Sequence, residues 1–442
     1  MSCSPLRHAP WLACWMLAAC TAYHAAPLAA VPVLHAQLGG LRAVRPDGSV
    51  ISLGAPLSLA DVAGLAVLND PDLAAARAQH GVAAAELLNA GLPPDPSISG
   101  GVAALLGGPG SMPAISAGLT QDVSALITYK AERRAAKAGL AQVDAGILWQ
   151  EWQVAAQAEE LAVALSADAQ TTASLRRDIL VLGPVDAAIQ AQIAQGNQTV
   201  MDGTASLAAL AAAQGALDTA TQNMARDRDQ LDALLGLQAG VDVPLAPVVV
   251  AAPAPGSLAP SIAALPRRRP DLIALRYGYS QAEQKLRAAI LAQFLPLSLG
   301  ASGGRDTTGV YSAGPQVTLT LPLFNRNRGA VAVASATRAA LAAQYQASLA
   351  SAAGGAGSLY ASILLLQSQT AAAQAQAGQA EATAEMARRE FDASEISAPA
   401  FAALQGTAGE RQRAAIALRA QLQTAEISLA TMLGLGLPEV QP

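Results

Sequence analysis

Few residues of this chain could do chemistry, and their spacing narrows what that chemistry could be. Gly300-Ala301-Ser302-Gly303-Gly304 fits the G-x-S-x-G pattern, in which a sharp turn presents a nucleophilic serine. Such a serine needs a histidine later in the chain, yet the four histidines, His8, His24, His35 and His80, all precede it. No glycine pattern for phosphates or dinucleotides occurs. The cysteines and histidines are too scattered to ligate a metal. The expectation is no enzyme, no catalytic residue, no cofactor and no metal site. What remains is one cysteine, Cys20, and three carboxylates, Asp202, Asp392 and Glu395, which stand beside short polar stretches able to break a helix. Their use depends on the elements that carry them.

Cys20 closes an N-terminal export segment. Arg7 supplies a positive charge, and Trp11–Ala19 is an apolar run too short to span a bilayer as a helix. The ending Leu17-Ala18-Ala19-Cys20 resembles a bacterial lipobox. That resemblance implies cleavage before Cys20 and lipid on its thiol, so residues 1–19 read as a lipoprotein signal peptide and Cys20 as the lipidation site. Of the three cysteines, Cys3, Cys14 and Cys20, only Cys20 would survive, and no disulfide could form. The alternative is an ordinary signal peptide cut a few residues later. Thr21 follows the cysteine where an aspartate would retain a lipoprotein at the inner membrane, so the resemblance points to the outer membrane.

The rest is composed for long helices. Hydrophobic residues make up 52% of the 442, but alanine and leucine dominate and aromatics are only 3%. A compact core of that size uses more rings, whereas alanine at helical period favours close-packed long helices. A net charge of −5 and the lack of a basic stripe give no case for nucleic acid.

One unit occurs twice. Asn69-Asp70-Pro71-Asp72-Leu73 recurs as Arg268-Arg269-Pro270-Asp271-Leu272, and Pro96-Ser97-Ile98-Ser99 as Pro296-Leu297-Ser298-Leu299. Leu234-Leu235-Gly236-Leu237 recurs as Met432-Leu433-Gly434-Leu435. The offsets are 199, 200 and 198 residues, so the spacing argues for an internal duplication of about 200 residues. Each unit opens with a helix whose first turn holds Pro71 or Pro270, where a missing N–H costs nothing. Asp72 or Asp271 follows, near the positive end of the helix dipole. Ser58-Leu59-Ala60-Asp61 caps an earlier short helix. The prolines at 93, 94, 96 and 296 end the opening helices near Ala90 and Ala292.

Two short strands come next in each unit, roughly 96–104 and 114–123, then roughly 296–303 and 314–323. A Gly-rich loop joins each pair, with Gly303-Gly304-Arg305-Asp306 in the second. Their length suits membrane strands of about 9–11 residues. The stretch 316–321 alternates: Val317, Leu319 and Leu321 share one face, and Gln316, Thr318 and Thr320 the other. In a soluble sheet the apolar side turns inward. In a membrane barrel it faces lipid and the polar side lines a pore. Period alone leaves both open.

Long helices follow, from about Thr128 to Ala194 and Thr199 to Leu235, then about Arg328–Glu390 and Pro399–Leu433. Pro184 is expected to kink or interrupt the first. Leu210, Leu217, Met224 and Leu231 recur every seventh residue, with Ala213, Ala220 and Leu234 three further on, as in a coiled-coil seam. The turns between paired helices fall at Gln195-Gly196-Asn197-Gln198 and Asp392-Ala393-Ser394-Glu395. Gln238–Pro266 reads as a Pro-rich linker packed around the helices, partly extended.

This order, helix, strand, strand and long helical hairpin, twice over behind a lipobox, resembles the TolC-type outer membrane efflux protein family. The landmarks are the repeated motifs above together with Leu321–Phe324. Pro322-Leu323-Phe324-Asn325-Arg326-Asn327-Arg328-Gly329 is similar to its heavy-metal, cobalt-zinc-cadmium branch. Two departures stand out: aromatics are scarce for barrel girdles, and unit one reads Asp122-Val123-Ser124 where unit two has Pro322-Leu323-Phe324. The implied fold is mainly α with a small β part, a homotrimer whose 12-stranded membrane β-barrel continues as a periplasmic α-helical coiled-coil barrel. If these are membrane strands, physics requires such pooling. Four strands cannot close a barrel, open edges are not tolerated in lipid, and three chains give twelve strands.

The implied layout is a signal peptide (1–19), an N-terminal extension (20–57), a first repeat (58–237), a linker (238–266) and a second repeat (267–442). The implied role is a passive exit duct for metal ions or small toxic compounds in a tripartite RND-type efflux pump. Its partners would be outer membrane lipid, a periplasmic adaptor (membrane fusion) protein and an inner membrane transporter. Within that frame Asp392 and Glu395, with Asp202 just past the first turn, are candidates for a carboxylate ring at the periplasmic gate, which would favour cations. Gln195, Gly196, Asn197, Ser394 and Ile396 are candidates for docking the adaptor tip to tip. A periplasmic coiled-coil scaffold or adaptor, and an outer membrane channel for type I protein secretion, are the rival readings.

Overall fold

The computed structural model describes residues 23–45, 48–104, 106–107, 110, 112–250, 256, 258–294, 297–321, 323–437 and 439, without the side chain at position 202. The expected signal peptide and Cys20 lie outside these residues, as does Pro322. Residues 23–34, the described part of a first unit, carry no helix or strand and are exposed. The second unit, residues 35–442, holds every element below.

That unit runs through one order twice. The first pass is α1 (Leu59–Asn69), α2 (Pro71–Ala90), β1 (Ser97–Ala103), β2 (Ala114–Asp122), α3 (Ser124–Ala194) and α4 (Val200–Leu234). The second is α5 (Leu258–Arg268), α6 (Pro270–Leu291), β3 (Leu297–Arg305), β4 (Tyr311–Leu319), α7 (Arg328–Asp392) and α8 (Ala398–Leu433). Caps set the starts. Ser58 and Asp61 form a reciprocal box on α1, Asp61 N donating to Ser58 Oγ at 3.3 Å and Ser58 N to Asp61 Oδ2 at 3.2 Å. Asp70 caps α2 by accepting from Leu73 N at 2.7 Å, with Pro71 in the first turn. Pro270 takes the same place in α6, but Arg269 before it makes no cap. Its guanidinium instead pairs with Asp271 at 2.8 Å and lies 4.7 Å over the Trp149 ring.

Several boundaries differ from the sequence reading. Residues 258–268, assigned there mostly to the linker, are α5, 11 residues long like α1. The helical part of the second repeat therefore begins at Leu258 rather than at 267. Pro266, the expected end of the linker, lies inside this helix two residues from its end, where little helix remains to lose. Pro184 does not interrupt α3, which is continuous over 71 residues. It sits on the exposed side, where water can satisfy the one carbonyl it leaves unpaired. β3 takes in Gly303, Gly304 and Arg305, so the loop is Asp306–Val310, held by Asp306 accepting from Thr308 N and Val310 N at 2.8 and 2.9 Å. β4 stops at Leu319, so Thr320 and Leu321 lie past the strand.

At 1.5 Å per residue α3 is about 105 Å long, far beyond what one compact core can cover. Burial is therefore distributed along seams. In α7 the seam is Ala356, Ile363, Thr370, Ala377 and Ala384, and in α8 it includes Phe401, Ala408, Ala415 and Leu429, all at multiples of seven. In α4, Ala213 and Ala220 are buried while Leu210, Leu217 and Met224 are only partly so. The small side chain lets the helices close up on the alanine side. Larger cores form where the short helices meet the long ones. Leu57, Leu65, Leu161, Leu231 and Leu235 pack together in the first repeat, and Leu265, Leu272, Ile363, Leu429 and Leu433 in the second. The linker wraps the first of these. Its residues 238–246 pair with the N-terminal extension through Gln238 N to His35 O at 2.9 Å and Ala246 N to Leu57 O at 2.8 Å.

Candidate functional site

The four strands form one antiparallel sheet in the order β1-β2-β3-β4. Residues directly opposite each other share a face, so the registers define two faces across the whole sheet. One row aligns Ile98, Leu119, Ala301 and Pro315, and another Val102, Ile115, Arg305 and Tyr311. Gln121, Leu299 and Val317 lie in a third, and Leu297 faces Leu319. Apart from Gln121 and Arg305 this face is apolar. The alternate rows are Ser97, Thr120, Gly300 and Gln316; Ser99, Gly118, Ser302 and Gly314; and Gly101, Ser116, Gly304 and Ser312. Thr318 pairs with Ser298 on the same side. Asp122 lies opposite Ser298 in that row, so the face carries hydroxyls, one amide, one carboxylate and glycines.

Nothing among the described residues covers the apolar face: Ile98 is 79% exposed and Val317 65%. No strand among the described residues pairs with the outer edges of β1 and β4. The polar face is the cramped one. A Cβ added to Gly300 or Gly304 would strike the Leu119 or Ile115 carbonyl of β2. A hollow of about 540 Å³ at the loop end of the sheet is lined by residues of both sets of rows, Ser116, Ser302 and Ser312 among them with Val102, Ile115 and Arg305. The close approach at Gly300 and Gly304 marks the polar side as the inside of a curl. Gln316 and Thr318 thus stand on the inner, polar face, and Val317 and Leu319 on the outer, apolar one. Thr320 and Leu321 continue past the strand with Leu321 exposed. The G-x-S-x-G stretch lies within β3, with Ser302 between Gly118 and Gly314. It is not the strand-to-helix turn that such a nucleophile requires.

The far ends of the hairpins are duplicates in geometry. Gly196 has φ +75° and Ser394 φ +62°, and each closes the same pair of bonds. Asn197 N donates to Gln192 O at 2.9 Å and Gly196 N to Ile193 O at 3.0 Å; Glu395 N donates to Glu390 O at 2.8 Å and Ser394 N to Phe391 O at 2.9 Å. This is the left-handed helix ending that satisfies otherwise orphaned carbonyls. Gln195 and Asn197 are exposed on the first turn, their side chains 3.3 Å apart. Asp392 and Glu395 are exposed on the second. Ile396 is partly buried against Val185, Ile189, Ala387 and Phe401, and of the named tip residues it is the one turned inward. Phe391 stacks on Phe401 at 4.9 Å just behind the turn. Asp202 falls in the first turn of α4, with its side chain outside the description.

Sequence reasoning missed the polar groups that tie the two hairpins together. Arg413 of α8 donates to Asp178 of α3 at 2.6 Å, Ser428 to Glu160 at 2.6 Å, and Trp152 Nε1 to Thr431 O at 3.2 Å. These partners are more than 200 residues apart, and no local pattern announces them. Between α3 and α4, burial pushes the Asp168 carboxyl up to about 6, helped by the nearby Asp227 charge and opposed by Arg226. Asp168 Oδ2 is buried without a hydrogen-bond partner. Burial also raises Glu426 of α8 and Asp232 of α4. The α7 seam was missed as well, although its seven-residue spacing is a signal that could have been counted.

Comparisons with known proteins agree with this architecture. Residues 262–435 match the family described as outer membrane efflux protein. A comparison with curated proteins finds no match. Among solved structures, the Campylobacter jejuni CmeC outer membrane channel is 17% identical, with 87% of each chain covered and a TM-score of 0.71. VceC, an outer membrane protein from Vibrio cholerae, is 17% identical over 85% of this chain and 96% of its own, with a TM-score of 0.70. The open state of the Neisseria gonorrhoeae MtrE outer membrane channel is 18% identical over 94% and 99%, with a TM-score of 0.69. At such identities the shared property is the fold. The structural likeness takes in both repeats, whereas the family match covers only the second.

Proposed function

We propose that this protein is the outer membrane channel of a tripartite efflux pump, a passive duct from periplasm to exterior. The observation that carries the reading is the sheet, with its bare apolar outer face, hydroxyl-lined inner face and two open edges. In water that face and those edges would aggregate. In a bilayer the face is stable only if the edges close. Three copies pool twelve strands into a barrel whose lumen is lined by Gln316, Thr318 and their neighbours, with Val317 and Leu319 against acyl chains. A periplasmic scaffold would leave the apolar face wet.

The rest of the chain follows from closure. The long helices continue the barrel into the periplasm, and their alanine seams let them lie close. The duct itself does no work; an inner membrane transporter supplies the energy and a periplasmic adaptor joins the two. Gln195, Gly196, Asn197 and Ser394 present exposed turns for that adaptor. Asp392 and Glu395, with Asp202, brace the periplasmic entrance, where three copies of each around one axis favour cations. Cys20, lipidated, anchors the chain to the membrane it crosses. The cargo is a metal ion or a small toxic compound, handed on by the transporter that selects it.

The test is conductance of the detergent-purified protein in planar bilayers, alongside a Cys20→Ser variant kept free of detergent. Discrete channels and aggregation of that variant support the duct. A Cys20→Ser variant that is fully soluble and never conducts refutes it in favour of a scaffold.

A further inference from the structure

The whole chain contains three lysines, Lys130, Lys137 and Lys285, and all lie on the helical stretches next to the sheet. Lys130 and Lys137 share α3 with Arg133 and Arg134. Their spacing winds them onto one stripe, about 9 to 20 Å along the helix from its start beside β2. All four are exposed, and no ion pair among the described residues involves them. Buried Thr128, Ala131 and Ala135 take the other side of the helix. The sequence reading had found no basic stripe, because alanines and Glu132 dilute the cations until the helix is wound.

The stripe forms one wall of a groove. A cavity of about 870 Å³ between α2 and α3 is lined by these four cations and by Leu87, Leu88 and Leu92. Leu88 and Leu92 are exposed. Tyr129 fixes the groove's upper corner by donating to Gly91 O at 2.7 Å. On the other half of the sheet, Lys285 and Arg287 of α6 and Arg328 of α7 are exposed near the same level. The level is set by α6 running against α3, where a Cβ on Gly139 would meet the Gln281 side chain. Between this belt and the sheet Phe294, Leu321, Leu323 and Phe324 are all exposed, interspersed with exposed Asp95, Asp122, Asn325 and Arg326.

We infer that the groove between α2 and α3 holds an anionic phospholipid of the membrane leaflet on the helix side, with its phosphate on the Lys130–Lys137 stripe and its first acyl carbons on Leu88 and Leu92. The inference rests on the channel reading above. An apolar floor of Leu88 and Leu92 beside long, flexible cations that make no ion pair among the described residues matches the order of acyl chain and headgroup. A free phosphate would use the cations and leave the leucine floor wet.

The experiment compares lipid retention by native mass spectrometry after reconstitution into vesicles of equal phosphatidylglycerol and phosphatidylcholine. Wild type is compared with Lys130→Gln/Arg133→Gln/Arg134→Gln/Lys137→Gln and with a control, Arg176→Gln/Arg177→Gln, which removes exposed cations far along α3. Each cation at an anionic surface contributes roughly fivefold, so wild type and control should favour phosphatidylglycerol by at least about tenfold, and the quadruple variant should not. Inorganic phosphate at matched ionic strength should leave the retained lipid in place. Equal retention by wild type and the quadruple variant, or displacement by phosphate, overturns the site. A quadruple variant that loses its oligomeric state also overturns it, by marking the groove as a contact between copies. Bilayer conductance is recorded on the same samples. Channels without lipid preference reject the lipid site alone, whereas absence of channels rejects the duct as well.

Discussion

Arg413→Ala should loosen the grip of one helical hairpin on the other. Arg413 Nη1 donates to Asp178 Oδ2 at 2.6 Å, joining α8 to α3, and Gln405 adds a weaker bond to the other oxygen at 3.4 Å. The Asp178 side chain is 8% exposed and that of Arg413 21%. Removing the arginine strands a buried carboxylate, which costs about 3–5 kcal/mol for a fully buried pair. Because the arginine keeps part of its surface in water, the lower figure of about 3 kcal/mol applies. At 1.36 kcal/mol per factor of ten, local opening becomes on the order of 100-fold more frequent. Amide hydrogen exchange reads this directly: residues 401–413 should lose that much protection while 420–433, further along the same helix, keep theirs. Gly409→Ala should mimic the loss, since a Cβ there would fall on the Asp178 carboxylate. Asp178→Leu with Arg413→Met should restore most of it, because an apolar pair of similar size strands no charge. Protection unchanged within twofold in Arg413→Ala, or lost equally along all of α8, would refute the reasoning.

Three further outcomes follow from other parts of the structure. Val317→Arg, on the outer face, should cost about 2–4 kcal/mol per copy in a bilayer, whereas Thr318→Arg on the inner face should insert normally; folding yield into vesicles compares them. Ser394→Gly should stabilise the second tip by about 1 kcal/mol, since Ser394 holds a left-handed φ of +62°, and limited proteolysis within 392–397 should slow. Asp168→Asn should be the more stable protein at pH 7.5 and equal to wild type near pH 4. The fold holds a proton on Asp168 up to about pH 6, so the folded chain binds more protons than the unfolded one between about 4 and 6, and wild-type stability falls as pH rises through that window. Allowing for solvent at this half-buried site, the difference is about 1–2 kcal/mol in thermal unfolding.

Much of the architecture was legible because it repeats. Pro71 and Pro270, Gly236 and Gly434, and the turns at Gly196 and Ser394 each mark a backbone need, a first-turn proline or a positive φ, which the duplication restates about 200 residues later. The alternation along 316–319 was legible for the same reason, since a strand shows its two faces in sequence. Strand ends were less so. Gly303 and Gly304 looked like loop residues, but glycine is needed at 304 by the close approach of β2. The unbroken helix through Pro184 was not legible, because the exposure that lets water satisfy the freed carbonyl is not written locally, and the linker's far end, with Pro266 in it, turned out to be helical. The hairpin-to-hairpin bonds of Asp178, Glu160 and Trp152 depend on which long helix lies beside which, and that is settled only by packing. The basic stripe on α3 needed three-dimensional winding to appear.

The central claim is that the sheet has a wet inside and a lipid-facing outside. Single nitroxide labels at 312, 314, 316 and 318, and at 313, 317 and 319, in the reconstituted protein test it most directly. The account predicts that the even sites relax with a water-soluble nickel complex and the odd sites with oxygen dissolved in the bilayer. Odd sites shielded from oxygen, or no alternation at all along β4, would contradict it.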